Sequence, residues 1–120
     1  MNSAATSLKR LEEKITRATG SDAHLDRAIY GTFGQAKDVK PPPQNYTSSV
    51  DACIELIGEA LPGWHWHVGY GVRGIMPYAS LNQPTSSNGT DGARVEASAP
   101  TVPLALLHAT IKALLGEIKD

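Results

Sequence analysis

The chain has 120 residues, of which 41% are hydrophobic and 19% charged, and its net charge is −1 at pH 7. This length suits one domain over residues 1–120 with a modest hydrophobic core. The near-neutral charge argues against a protein that binds duplex nucleic acid, because such proteins carry a basic stripe. A small anionic ligand held by one or two arginines is compatible with it.

The single cysteine, Cys53, excludes an internal disulfide and fits a reducing compartment. Residues 1–17 carry charges every few positions, which argues against a signal peptide. No segment approaches the roughly 18 apolar residues that a membrane-spanning helix needs. We therefore expect a soluble, intracellular protein with no membrane contact.

The first part of the chain predicts two helices within residues 1–34. Leu8, Leu11 and Ile15 recur at helical spacing over residues 3–19 and are surrounded by charged residues. Gly20 is a candidate for the left-handed residue that ends this helix. Ser21 is the predicted cap of the shorter second helix.

A connector over residues 35–47 follows, with three consecutive prolines at 41–43. It is predicted to form a stiff strap, with a ligand for a proline-reading domain as the alternative. Ser48 and Asp51 form a capping-box-like pair at the start of a third helix. Cys53 lies in the apolar stripe of this helix, which predicts a buried, inert thiol rather than a catalytic thiolate.

An aromatic hairpin over residues 64–81 is the centre of the predicted fold. Its first strand alternates strictly, so its side chains divide between two faces. One face takes Trp64, Trp66, Val68 and Tyr70, and the other takes His65, His67 and Gly69. A glycine-rich turn then leads into a second apolar run that ends at Leu81.

A polar loop, a third strand and a long helix complete the chain over residues 82–120. The strand over 94–99 alternates apolar and polar residues, and Thr101 caps the final helix. The predicted fold class is therefore α+β. We expect an α/β/α sandwich in which helices flank a short antiparallel sheet of about three strands.

Gly69, Gly71 and Gly74 match the spacing of a dinucleotide-binding fingerprint. That motif requires a helix directly after it, whereas residues 77–81 continue as a strand, so we reject a Rossmann site. The glycines favour a tight hairpin turn, with a backbone nest that accepts a phosphate as the alternative.

Catalytic and metal-binding patterns are weak in this sequence. His65 and His67 share a strand face, but no Asp, Glu or Cys beside them completes a ligand set, so we predict no metal and no cofactor. No nucleophile elbow is present, and the acidic residues cluster on helices away from the hairpin. We therefore predict that the protein is not an enzyme.

Two arginines stand out, because the charged residues between 60 and 111 are only Arg73, Asp91, Arg94 and Glu96. Beside several aromatic residues, the two guanidinium groups have the chemistry to pair a phosphate while a ring stacks on a base. The plainer interpretation pairs Arg94 with Glu96 or Asp91, leaves Arg73 in solvent and assigns the aromatic residues to the core.

Three short segments carry a family resemblance through their order and spacing. They are Gln-Asn-Tyr-Thr-Ser-Ser-Val-Asp-Ala at 44–52, Pro-Gly-Trp-His-Trp at 62–66 and Ala-Ser-Ala-Pro-Thr-Val-Pro-Leu-Ala-Leu-Leu at 97–107. The chain thereby resembles the phage ABA sandwich domain, a family of small bacteriophage and prophage proteins. The resemblance implies an α/β/α sandwich of unsettled biochemical role, made in the cytoplasm of a host bacterium, and it transfers no catalytic residues.

In that setting we expect a phage-encoded, non-enzymatic anti-defence sponge that sequesters a nucleotide-derived immune signal of the host. It would be a homo-oligomer whose 82–93 loop closes over a small anionic, nucleotide-like ligand. The expected ligand-binding residues are Trp64, His65, Trp66, His67, Tyr70, Arg73, Tyr78 and Arg94. The alternatives are an interaction module that docks through the first helix or the proline strap, and an enzyme that degrades the signal with His65 or His67 as general base.

Overall fold

The computed structural model describes residues 3–37, 45–71, 76–84 and 92–117, which form four α-helices, one short 3-10 helix and a three-stranded sheet. The helices are α1 (Ser3–Arg17), α2 (Ala23–Lys37), the 3-10 helix η1 (Tyr46–Ser48), α3 (Val50–Ala60) and α4 (Val102–Glu117). The strands are β1 (His65–Tyr70), β2 (Pro77–Asn82) and β3 (Arg94–Ser98). The predicted α+β fold with a three-stranded antiparallel sheet is confirmed, and this mix of helices and strands fits an α/β sandwich. The prolines at 41–43 lie outside the described residues.

Helix α4 is the centre of the core, because apolar residues surround most of its circumference. Its buried apolar residues are Leu104, Ala105, Leu106, Leu107, Ala109, Ile111 and Ala113. Of the helices that the structure describes, only α4 makes extensive contacts with the sheet, while α1 and α3 pack against α4 itself. The predicted Thr101 cap is confirmed, since Thr101 Oγ1 accepts a hydrogen bond from the Leu104 N–H at 3.3 Å.

The sheet is an antiparallel meander in the order β1-β2-β3, and its two faces differ in polarity. Its inner face, which packs on α4, carries Trp66, Val68, Tyr70, Pro77, Ala79, Leu81, Val95 and Ala97. Its outer face carries His65, His67, Gly69, Tyr78, Ser80, Asn82, Arg94, Glu96 and Ser98. The alternation predicted for β1 and for 94–99 therefore places each residue on the expected face.

Two predicted helix caps are each displaced by one residue. The side chain that caps α2 is Asp22, not Ser21, and its Oδ1 accepts a hydrogen bond from the N–H of Leu25 at 3.1 Å. The cap of α3 is Ser49, not Ser48, and its hydroxyl accepts a hydrogen bond from the Ala52 N–H at 3.1 Å. In both cases the neighbouring residue also has cap chemistry, so local sequence alone does not decide between them.

Glycine behaves differently from the expectation at the end of α1. Gly20 does not adopt a left-handed conformation; among the described glycines it is Gly63, with a φ of 84°, that does. Gly63 follows Pro62 after α3, where the chain reverses into β1. Helix α2 also runs through Gly31 to Lys37, past the predicted end at residue 34.

A hydrogen-bond network attaches η1 to the start of α2. The Thr47 N–H and hydroxyl both donate to Asp26 Oδ1, at 2.7 and 2.8 Å, and the Thr47 hydroxyl accepts from the Asp22 N–H at 2.8 Å. Thr47 is 1% exposed, so these groups have little access to water. The network joins segments that are more than 20 residues apart in sequence.

Cys53 is buried on α3, as predicted, and its Sγ donates to the Tyr46 carbonyl oxygen at 3.1 Å. Burial, with a smaller contribution from the charge of Asp26, raises the pKa of the Cys53 thiol to about 12. The neutral thiol is therefore the stable form at physiological pH, and it is a poor nucleophile.

Candidate functional site

The outer face of the sheet brings together four of the eight predicted ligand-binding residues. The strand register aligns His65 with Asn82 and Arg94, and the next outer row aligns His67 with Ser80 and Glu96. Adjacent strands lie about 4.8 Å apart, so the side chains of one row are within reach of a single small ligand. Tyr78 occupies the third row.

The Tyr78 ring packs over Gly69, its cross-strand neighbour on β1. A Cβ atom placed on Gly69 would lie only 3.1 Å from the Tyr78 ring, so the ring covers this glycine. The Tyr78 and His67 ring centroids are 5.9 Å apart with an interplanar angle of 38°. The outer face therefore presents two adjacent rings, an arrangement on which a planar base can stack.

Arg94 forms an exposed ion pair on the same face, one outer row from His67 and two rows from Tyr78. Its Nη2 lies 3.6 Å from Glu96 Oε1, and the two side chains are 66% and 56% exposed. An ion pair this exposed contributes on the order of 0–1 kcal/mol, so a phosphate can compete for the guanidinium at little cost. The pairing of Arg94 with Glu96 matches the plainer of the two interpretations.

The aromatic residues of β1 lie on the other side of the sheet. Trp66 and Tyr70 are on the inner face, where α4 covers them incompletely, and they are 43% and 63% exposed. Trp64 is half-buried against the core just before the strand. Within one chain, Trp66 and Tyr70 therefore lie on the opposite side of the sheet from His67, Tyr78 and Arg94.

Two further parts of the predicted site cannot be placed. Arg73 and residues 85–91 of the predicted closing loop lie outside the described residues. Five outer-face residues are absent from the predicted set: Gly69, Ser80, Asn82, Glu96 and Ser98. The alternation of β3 indicates the outward direction of Glu96, but its alignment with His67 depends on the strand register.

No group of three His, Cys, Asp or Glu residues within the described ranges is close enough together to hold a metal ion. Within the same ranges, no helix combines the length and apolar character needed to cross a membrane. The described outer face offers rings, imidazoles, a guanidinium and a carboxylate, a set suited to non-covalent binding.

Comparison of the chain with protein-family models, curated proteins and solved structures gave no match. The resemblance to the phage ABA sandwich domain therefore stays a prediction.

Proposed function

We propose that the protein is a non-enzymatic binding protein that holds a small anionic, nucleotide-like ligand on the outer face of its sheet. The supporting observation is the strand register, which gathers His67, Tyr78 and Arg94 on one partly exposed face. A base would stack on the rings of His67 and Tyr78, and a phosphate would replace Glu96 as the ion-pair partner of Arg94. With the family resemblance, this supports a phage-encoded sponge for a host immune signal, acting in the bacterial cytoplasm.

The ligand test uses isothermal titration of a panel of cyclic dinucleotides and ADP-ribose-type molecules. Arg94→Gln is expected to weaken binding about tenfold, because it removes a charge-assisted hydrogen bond to phosphate. Glu96→Gln is expected to strengthen binding a few-fold, because it removes the competing carboxylate. Arg27→Gln, at an exposed position on α2, makes the same charge change away from the sheet and should have no effect.

Two outcomes contradict the proposal. One is the absence of binding to every member of the panel at about millimolar ligand, and the other is equal weakening by Arg94→Gln and Arg27→Gln. Heat release of the bound molecule followed by mass spectrometry distinguishes binding from catalysis. An intact ligand supports a sponge, whereas an altered ligand supports the enzyme alternative.

We further propose that the protein self-associates through the outer edge of β1, which no other described strand pairs with, and that this accounts for the expected homo-oligomer. The Gly71 N–H donates to the Met76 carbonyl oxygen at 3.0 Å. Counting back from Gly71 in steps of two, His65, His67 and Gly69 are therefore the residues of β1 whose backbone groups bond to β2. Since hydrogen-bonding direction alternates along an antiparallel strand, Trp66, Val68 and Tyr70 direct their backbone groups toward the open edge. No charged residue or proline lies within β1 to prevent edge pairing.

The opposite edge of the sheet is protected. Strand β3 carries Arg94 and Glu96, and Lys112 Nζ donates to the outward carbonyl oxygen of Glu96 at 2.8 Å. Pairing of two β1 strands about a two-fold axis at Val68 sets Trp66 of one copy opposite Tyr70 of the other. This register covers the two exposed rings and continues the outer faces of both copies as one surface.

Tyr70→Lys is expected to weaken the dimer at least tenfold, because it replaces an exposed apolar ring with a charge at the pairing edge. Sedimentation over a range of concentrations measures this, and circular dichroism verifies that the variant is folded. Ser98→Lys, on the exposed face of β3, is the matched control. A wild-type chain that stays monomeric up to about 1 mM would refute edge pairing. A dimer that resists Tyr70→Lys would place the contact elsewhere.

An interaction module that binds a different protein is the second candidate function. The exposed side chains of Trp66 and Tyr70 on one face of β1 favour it, because large apolar residues that are exposed together mark interaction surfaces. It differs from the first proposal in one measurable way: Arg94→Gln would leave partner binding unchanged.

A further inference from the structure

Helix α1 carries three basic residues on one flank of its apolar stripe and Glu12 on the other, while the exposed Glu13 lies three residues after Arg10 and four before Arg17. Arg10, Lys14 and Arg17 are spaced by four and three residues, so they line one side of the helix. On the opposite flank, Glu12 Oε2 lies 3.3 Å from His108 Nε2 of α4. The acidic flank thus faces α4, and the basic flank faces α2.

A groove runs between α1 and α2 along this basic flank. It consists of two clefts of about 270 and 160 Å³ that share Lys14 as a lining residue. Arg17 and His24 line the larger cleft, and Arg10 and Thr32 line the smaller one. We call the two together the α1–α2 groove.

The basic side chains of the α1–α2 groove form no direct ion pair within the described part of the chain. Arg10, Lys14 and Arg17 take part in neither of the ion pairs found there. Asp22 is the one acidic residue in the described lining, and its carboxylate already caps α2 through the Leu25 N–H. The groove therefore combines three cationic groups with one carboxylate, that of Asp22, which is already bonded to the start of α2.

Apart from Asp22 and His24, the floor and far wall of the groove are apolar or small. Leu11, Ala18, Leu25 and Ala28 supply apolar surface, and Thr32 and Ser7 supply hydroxyl groups at one end. Such a lining accepts the uncharged part of a ligand, while long basic side chains reach its anionic part.

We propose that the α1–α2 groove is a binding site for a small polyphosphate-bearing molecule of the nucleoside di- or triphosphate class. The helical rise of about 1.5 Å per residue places the three basic positions along roughly 10 Å, which suits consecutive phosphate groups. A base or sugar would lie on the apolar floor. The groove is lined by α1, α2 and the link between them, whereas the sheet packs on α4, so this site is independent of the outer face.

The test titrates the full chain with inorganic tripolyphosphate and, separately, with adenosine triphosphate at low ionic strength. Lys14→Gln is expected to weaken binding at least tenfold, because Lys14 lines both clefts. Lys9→Gln is the matched control, since Lys9 is exposed on the same helix but lines neither cleft. Added salt should weaken wild-type binding more steeply than binding to the Lys14→Gln variant.

The proposal is supported if the wild-type chain binds either probe and if Lys14→Gln, but not Lys9→Gln, weakens that binding. Absence of binding to both probes at millimolar concentration overturns it, as does equal weakening by Lys9→Gln, which would indicate general attraction to α1. Arg94→Gln separates the two proposals. It should leave binding in the α1–α2 groove unchanged, and it should weaken only a ligand held on the outer face.

Discussion

Replacing Thr47 with valine is expected to lower the free energy of unfolding by about 2–3 kcal/mol. Valine keeps the shape of threonine but removes the hydroxyl that donates to Asp26 Oδ1 and accepts from the Asp22 N–H. Because Thr47 is buried, water cannot replace those bonds without opening the contact between η1 and α2. Urea denaturation followed by circular dichroism measures the change.

Two variants establish whether the hydroxyl network is responsible. Thr47→Ser retains the hydroxyl and loses one methyl group, so it should cost only about 1 kcal/mol. Combining Thr47→Val with Asp26→Ala should cost less than the sum of the single changes, because both remove the same bond. Equal destabilisation by Thr47→Val and Thr47→Ser would show that packing, not hydrogen bonding, holds η1 in place.

The same network explains which features of the helical half are not predictable from sequence. Ser21 and Asp22 are both good caps, as are Ser48 and Ser49, so propensity alone leaves the choice open. A contact across more than 20 residues decides the first pair, because the Asp22 N–H is held by Thr47. Tertiary contacts therefore set helix boundaries that local patterns locate only to within a residue or two.

The faces of the sheet are more predictable than the helix boundaries, because the alternation within each strand determines them. A period of two fixes which residues of β1 and β3 share a face. Burial follows that alternation in β3 but not in β1, where Trp66 and Tyr70 of the inner face are exposed. What the period does not supply is the register. The alignment of His67 with Glu96 across β2, and the covering of Gly69 by Tyr78, appear only when three strands are placed side by side.

The predicted ligand set joined residues that the structure separates. Trp66 and Tyr70 are neighbours of His65 and His67 in sequence, but adjacent residues of a strand point to opposite faces. The α1–α2 groove could not be predicted at all, since it depends on how two helices pack. The spacing of Arg10, Lys14 and Arg17 places them on one side of α1, but it does not show that a groove lies beside them.

Gly92→Ala is expected to destabilise the fold by about 2–3 kcal/mol, because no space exists for a Cβ atom. Such an atom would lie 2.5 Å from the carbonyl oxygen of Gln83 and 2.9 Å from its carbonyl carbon. Gln83 itself is fixed by two bonds: its N–H donates to the Ala93 carbonyl oxygen at 2.8 Å, and its Oε1 accepts from the Ala93 N–H at 3.1 Å. The substitution must displace backbone at the ends of β2 and β3.

Gly58→Ala is the matched control, since a Cβ at this exposed position on α3 meets no atom within 4 Å. It should stabilise the protein by about 0.5–1 kcal/mol through helix propensity. Thermal and urea unfolding should therefore show a lower free energy of unfolding for Gly92→Ala and a higher one for Gly58→Ala. An unchanged free energy of unfolding in Gly92→Ala would show that the backbone there shifts at little energetic cost.

The Gly92→Ala substitution is also expected to affect the outer face. Because Asn82 precedes Gln83 and pairs with Arg94, the displacement should also move Arg94. Folded Gly92→Ala protein is thus expected to bind an outer-face ligand more weakly, while binding in the α1–α2 groove stays unchanged.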